Sequence, residues 1–288
     1  MAKRTQKTAS KATPIPQPTT TVPLSEQGFI ALSKTKYGWI AYNKHDQYIG
    51  GSIEHYGEFS EGEVDFFRQT LRPGDVVVEA GANIGTHTVA MAQMVGAGGR
   101  VLAFEPQRLV FQNLCANIAL NSLDNVMTFQ AALGPQPGNI IVPLLDPNQA
   151  NNFGGLGVQG HAVGEPVPVM TIDSLNLARC RLIKADVEGM EHEVLSGAKE
   201  TIKRLRPVLY VENDRELKSE ALISLIQNMG YRLWWHLPAL YNPNNFKNNP
   251  ENIFKGLLSV NMLCLPNEMH ANIELNEIKT PQDHWKKR

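Results

Sequence analysis

Nowhere in the 288 residues is there an unbroken apolar run of the about 18 residues that a membrane-spanning helix requires. The N-terminus has no apolar core of the kind a secretory signal carries, so the sequence predicts a cytoplasmic protein with no membrane span. Cysteine is scarce. Cys115, Cys180 and Cys264 are odd in number and far apart, which fits neither a disulfide framework nor a Cys-x-x-Cys metal pair. An excess of one charge is also missing: 27 Lys+Arg stand against 28 Asp+Glu, a net charge of −1, which argues against a surface built for nucleic acid. There is no internal repeat, and the 23 Gly and 18 Pro follow no fibrous period.

What is present is ordinary globular composition, 42% hydrophobic and 19% charged, unevenly arranged. Residues 1–24 hold Lys3, Arg4, Lys7 and Lys11, no acid and four prolines, too little apolar surface to offset ordering, and predict a disordered basic tail. The remaining 23 basic residues face all 28 acids. Residues 25–70 predict a small cap: a strand at Tyr37–Tyr42, a turn at Tyr48–Gly51, and a helix from Glu61 to Leu71 on which Val64, Phe67 and Leu71 share a face.

From residue 71 to 265 strands and helices alternate, which predicts an α/β domain built on a mostly parallel sheet. Val76–Val78, Val101–Phe104, Val126–Ala132, Leu182–Ala185, Val208–Val211, Tyr231–His236 and Val260–Leu265 read as its seven strands. Helices are predicted at Thr86–Met94, at Leu109–Leu120, along Val194–Leu205 and around Leu222–Met229. Two stretches, 135–170 and 237–257, read as long loops on the acceptor side, and 266–288 as a C-terminal tail.

The first strand runs into Glu79-Ala80-Gly81-Ala82-Asn83-Ile84-Gly85 and then a helix. Glycines at such a turn let a ligand approach the backbone, and the helix N-terminus offers free N–H groups. The spacing is Gly-x-x-x-Gly, not the Gly-x-Gly-x-x-Gly of a dinucleotide site, which disfavours NAD. Glu105 ends the second strand, 24 residues after Gly81, where a carboxylate can accept from both ribose hydroxyls.

Gly-Ala-Asn-Ile-Gly at 81–85, Ala-Phe-Glu-Pro at 103–106, Ala-Leu-Gly at 132–134, Leu-Ile-Lys-Ala-Asp-Val-Glu-Gly at 182–189, Val-Leu-Ser-Gly-Ala at 194–198 and Arg-Pro-Val-Leu-Tyr-Val-Glu at 206–212 resemble the FkbM family of S-adenosylmethionine-dependent methyltransferases. The Asp-Val-Glu-Gly element is the most specific of these. Glu79 stands where many members carry Asp. The resemblance implies a Rossmann-like class I methyltransferase, a seven-stranded sheet with helices on both faces, and S-adenosyl-L-methionine as cofactor. It implies cofactor contacts at Glu79, Gly81, Ala82, Asn83, Gly85, Thr86, Glu105, Pro106, Gln130, Ala131 and Asp186. Glu58, in the segment before the core, is a further candidate for the cofactor's amino group, with Glu61 beside it.

Methyl transfer needs alignment of the acceptor and a destination for its proton. Asp186, Glu188, Glu212 and Asn213 follow the fourth and fifth strands and are the catalytic candidates; of the eight histidines His87 and His236 are weighed as bases and His236 is preferred. Asp186, Glu212 and Asn213 also look like the oxygen ligands of catechol-type methyltransferases, which leaves Mg²⁺ as a secondary option. The Asn-rich stretches at 148–155 and 242–252 either contact a polyhydroxyl acceptor or merely stabilise turns. The leading expectation is O-methylation of a hydroxyl on a glycan, glycolipid or secondary metabolite by a monomer or homodimer. N-methylation of a peptide side-chain amide, an NAD-linked oxidoreductase and a non-catalytic binding module are the alternatives.

Overall fold

The computed structural model describes residues 21–23 and 28–287. Of the segment read as a disordered tail, residues 1–20 and 24 lie outside this range. Thr21–Pro23 form strand β1, which pairs antiparallel with β2 (Ile30–Thr35), and β2 pairs antiparallel with β3 (Gly38–Asn43). The turn read at Tyr48–Gly51 is instead the start of helix α1 (Ile49–Tyr56). Asp46 accepts from the Tyr48 N–H and its carbonyl from the Gly51 N–H, which launches the helix. Gly50 serves packing: a Cβ there would lie 2.5 Å from the Asn43 carbonyl on β3. Helix α2 (Glu61–Thr70) follows as read, with Val64 and Phe67 buried.

The main domain alternates β4 (Val76–Ala80), α3 (Thr86–Val95), β5 (Arg100–Phe104), α4 (Arg108–Leu120) and β6 (Val126–Phe129). The third strand was read as far as Ala132, but the chain breaks after Phe129. Residues Ala132–Leu133 (β7) then form a separate small sheet with β8 (Gly138–Val142) and β9 (Glu165–Met170). After β10 (Leu182–Ala185) the single helix read from the periodicity is two, α5 (Glu191–Ser196) and α6 (Lys199–Leu205). They part at Gly197, whose missing Cβ would fall 2.0 Å from the Gly134 carbonyl, so another segment crosses there. Then come β11 (Val208–Glu212), α7 (Glu216–Asn228), β12 (Tyr231–His236), β13 (Asn261–Pro266) and β14 (Asn276–Ile278).

The large sheet has the order β14-β12-β13-β11-β10-β4-β5-β6. Strands β6, β5, β4, β10 and β11 run parallel, while β13 is antiparallel to both its neighbours. This is the expected seven-stranded Rossmann-like arrangement, extended by β14, which uses part of the stretch read as a C-terminal tail to pair with β12. Successive residues of a strand face opposite sides. Val77, Leu182 and Val208 pack with residues of α1 to α4 on one face; Val78, Ile183 and Leu209 pack with residues of α5 to α7 on the other. Covering both faces is what parallel strands this apolar require. The chain reverses its winding between β4 and β10, and open α/β sheets bind ligands at the carboxyl ends of the strands at such a point. Among the described residues no helix is long and apolar enough to cross a membrane.

Candidate functional site

At that reversal a cavity of about 230 Å³ opens over the ends of β4, β5, β10 and β11. Its floor is the turn from β4 to α3. Gly81 has φ +79°, and a Cβ there would sit 1.8 Å from the Asp186 carbonyl, so the β4 and β10 ends touch only because residue 81 is glycine. Ala82, Asn83 and Thr86 line the cavity beside it. Gly85 does not; its φ is +86° and the space its side chain would take is filled by Leu114, so it shapes the turn without touching the void.

Glu105, at the end of β5, is the best-held acid of the site. Its Oε2 accepts from the Asn83 N–H at 3.0 Å and its Oε1 from the Gln107 N–H at 2.9 Å. The two bonds aim the carboxylate, and burial, outweighing them, pushes its pKa up to about 7. Pro106, Gln107, Ala131 and Leu133 continue the wall. Gln130 lies in the break between β6 and β7 and does not line it.

The other end is crowded with acids. Glu79 is 1% exposed; its Oε2 accepts from the Thr88 hydroxyl at 2.6 Å and its Oε1 has no partner among the described residues. Burial raises its pKa to about 7, against the pull of Lys184. Lys184 is the charged residue in an otherwise apolar, fully buried β10, and its Nζ holds Asp186 Oδ2 at 3.0 Å. Among the described residues it is the one lysine or arginine lining the cavity, against Glu63, Glu79, Glu105, Asp186, Glu188, Glu212 and Asp214. Glu188, in the left-handed region with φ +56°, pairs with Arg215. Glu212 has a buried Oε2 with no partner among the described residues, and burial beside Asp186 pushes its pKa well above the carboxylate range.

Asp186, Glu188 and Glu212 bring carboxylate oxygens within 4.8 Å of one another. The oxygen set considered for Mg²⁺ is not assembled, however. Asn213 turns into the core, its Nδ2 donating to Ser219 Oγ at 2.9 Å, and two of the three clustered acids already hold protein cations. His236 also lies off the cavity. It ends β12, which β13 separates from β11, and its Nδ1 shares a 2.7 Å hydrogen bond with the Tyr210 hydroxyl. Glu58 accepts from Asn242 Nδ2 at 2.8 Å and from the Phe246 N–H at 3.0 Å, so it ties down the second Asn-rich loop and is not directed at the cavity. In that loop Asn242, Asn245, Asn249 and Asn252 cap neighbouring backbone N–H groups and do not line the cavity, which favours the turn-stabilising reading. The first Asn-rich loop reaches the cavity through Asn152, Gly154 and Gly155 and is anchored by Gln107 Nε2 on the Phe153 carbonyl at 2.8 Å.

Sequence reasoning assigned no role to Lys184, Glu63 or Phe59 and passed over His87, all four of which line the cavity. Lys184 had a readable signal, a charge in a strand whose other residues are apolar. His87 had one too, its place just after the glycine turn, whereas Phe59, just before α2, and Glu63, on α2, had none.

The family model described as "Methyltransferase FkbM domain" matches residues 79–233. A curated relative, "Methyltransferase 1" of Beauveria bassiana (strain ARSEF 2860), is 32% identical over 144 residues, 42% of this chain and 57% of its own length. The chain thus spans little more than half of that relative. Among solved structures, methyltransferase FkbM from Methylobacillus flagellatus KT aligns at 16% identity and a TM-score of 0.45, over 70% of this chain and 50% of that one. A SAM dependent methyltransferase from Aquifex aeolicus aligns at 16% identity and a TM-score of 0.40, over 75% and 92%.

Proposed function

The chain belongs to the methyltransferase FkbM domain family, whose model covers more than half of it, and from that premise we propose that it transfers a methyl group from S-adenosylmethionine to a hydroxyl of a glycan, glycolipid or secondary metabolite. The observation that carries the cofactor reading is the pairing of the Gly81 turn with the doubly anchored Glu105 carboxylate at the ends of adjacent parallel strands. A nucleoside fits such a place: ribose hydroxyls donate to the carboxylate, and the amino-acid end meets the close backbone approach at Gly81. The open Oε1 of buried Glu79 supplies an acceptor for an ammonium group, the fit expected of this cofactor.

When bound, the cofactor supplies an electrophilic methyl on a cationic sulfur. The chain's own task is alignment and proton management. Glu105 would fix the ribose, while Pro106, Gln107, Ala131 and Leu133 enclose the base. Glu79 and Asp186, with Lys184 holding Asp186 in place, would orient the amino-acid end. Glu212, which lines the cavity at the end of β11 with a buried Oε2 that has no partner among the described residues, would accept a hydrogen bond from the acceptor and orient it. The acid-rich lining favours a cationic cofactor and disfavours a strongly anionic acceptor.

Calorimetric titration with S-adenosylhomocysteine and with NADH tests the reading. Binding of the first and not the second is expected; tight NADH binding without the homocysteine product would overturn it.

A further inference from the structure

Besides the groups given to the cofactor, the cavity is lined by Phe59, by Glu63 of α2, by His87 of α3 and by Lys184 of β10, with the Phe59 and His87 rings 5.7 Å apart. The three polar residues are more than nine-tenths buried, with Glu63 at 3%, His87 at 5% and Lys184 at 2% exposure. Lys184 is occupied by Asp186. The other two each keep one atom without a partner among the described residues, Glu63 Oε2 and His87 Nε2. Buried polar atoms left unpaired are rare and mark a missing occupant.

Both open atoms are hydrogen-bond acceptors. Glu63 Oε1 already accepts from the Ser60 hydroxyl at 2.7 Å. In the Nδ1–H tautomer, which lets the ring donate toward the Phe59 backbone, His87 keeps a lone pair on the unpartnered Nε2. Phe67 edge-on at 5.4 Å and Phe59 at 5.7 Å hold the ring in that orientation. Burial and the Lys184 charge push the imidazole down to about 3 despite Asp186, so it stays neutral in the physiological range. An occupant must therefore bring hydrogens. An anion would set lone pairs against lone pairs beside Glu63.

Resting on the methyltransferase reading, we infer that this part of the lining is the acceptor subsite, and that His87 Nε2 and Glu63 Oε2 take the hydrogen-bond donors of a hydroxyl- or amine-bearing, non-anionic acceptor. The contacts select the acceptor by its donors, and His87 and Glu63 are its binding residues.

The test is nitrogen NMR of the imidazole rings at pH 7 on the protein saturated with S-adenosylhomocysteine, titrated with three probes of similar size: ethylene glycol, ethanolamine and glycolate. His87 is expected as the Nδ1–H tautomer. Its Nε2 resonance should move upfield with ethylene glycol or ethanolamine and stay in place with glycolate; the two donor probes together tell a hydroxyl from an amine preference. H87L should weaken the donor probes about tenfold, the fold-change of one lost hydrogen bond, and H87Q, which keeps an acceptor oxygen, should recover part of it. An Nε2–H tautomer, an equal response to glycolate, or no response to either donor probe overturns the inference. Absence of S-adenosylhomocysteine binding would instead strike the methyltransferase reading, and the same titration of the free protein still reports on the subsite.

Discussion

Replacing Glu105 by glutamine should make the free protein more stable at pH 8 while, on the proposed ribose role, weakening cofactor binding, because burial of the carboxylate costs the fold more than its two backbone hydrogen bonds return. Its pKa is about 7 in the fold against 4.5 ordinarily. Below 4.5 both folded and unfolded states hold the proton, so ionisation of the group takes nothing from stability. As pH rises from 4.5 to about 7 the unfolded chain releases the proton and the fold does not, so stability declines; above 7 the full loss, about 3 kcal/mol, is in place. Glutamine never ionises and escapes this loss. Its amide nitrogen must face one of the two backbone N–H groups, Asn83 or Gln107, that the carboxylate accepted from, a mismatch of about 1–2 kcal/mol. The balance at pH 8 is a gain of about 1–2 kcal/mol, or about 2–6 °C in Tm for a domain of this size. At pH 5 the wild-type carboxyl is protonated in the fold, so the gain disappears and the mismatch remains. Acids common to both proteins cancel in the difference. Thermal melts of the two free proteins between pH 5 and 8, with S-adenosylhomocysteine titrations at pH 8, read both effects. Affinity should fall about 10- to 100-fold, the range for a hydrogen bond to a charged group. A Tm difference that does not grow with pH, or an unchanged dissociation constant, would refute the reasoning.

Gly81→Ala should lower stability by about 2–4 kcal/mol, since a positive φ must be strained and the β4–β10 contact pushed apart; a melt matching wild type would refute the close approach. Asn242→Ala removes a bond to the Glu58 carboxylate and should cost about 1.5–3 kcal/mol of stability, yet leave S-adenosylhomocysteine affinity within about twofold. A large loss of affinity would return Glu58 to the cofactor site. His236→Ala should likewise leave that affinity unchanged while lowering Tm, because only its Tyr210 bond and its packing on Phe66 are lost; calorimetry and a thermal melt on one sample check both.

Most of the β4–α3–β5 unit was legible in the chain. The apolar run ending in Glu79, the glycines at 81 and 85 and the strand-end Glu105 are local features, separated by few residues and imposed by backbone geometry at one turn. Helix α2 was legible because three apolar residues repeat on one face. Gly50 and Gly51 misled, since glycine serves a tight turn and a close helix–strand contact equally well, and only the packing of α1 on β3 decides between them. Gly197 was silent for the same reason: periodicity continues across it, and the break between α5 and α6 follows from the Gly134 carbonyl that crosses there.

The side chains away from that turn divide by distance. Asp186, Glu188 and Glu212 reach the cavity because parallel strands align their carboxyl ends, a consequence of the alternating βα pattern. Asn213, one residue on, faces the opposite way into the core. His236 looked like a neighbour of the site in order of strands, but β13 inserts between β11 and β12, and no local pattern announces which strand returns antiparallel. The sequence by itself determined the family, the doubly wound class and the glycine turn and strand-end acid of the proposed nucleoside site, because those rest on short-range spacing and on hydrophobic alternation. Tertiary structure alone decided that His87, Glu63 and Lys184 line one cavity and that Glu58 and His236 do not, because residues far apart in the chain meet only where helix packing and strand order bring them.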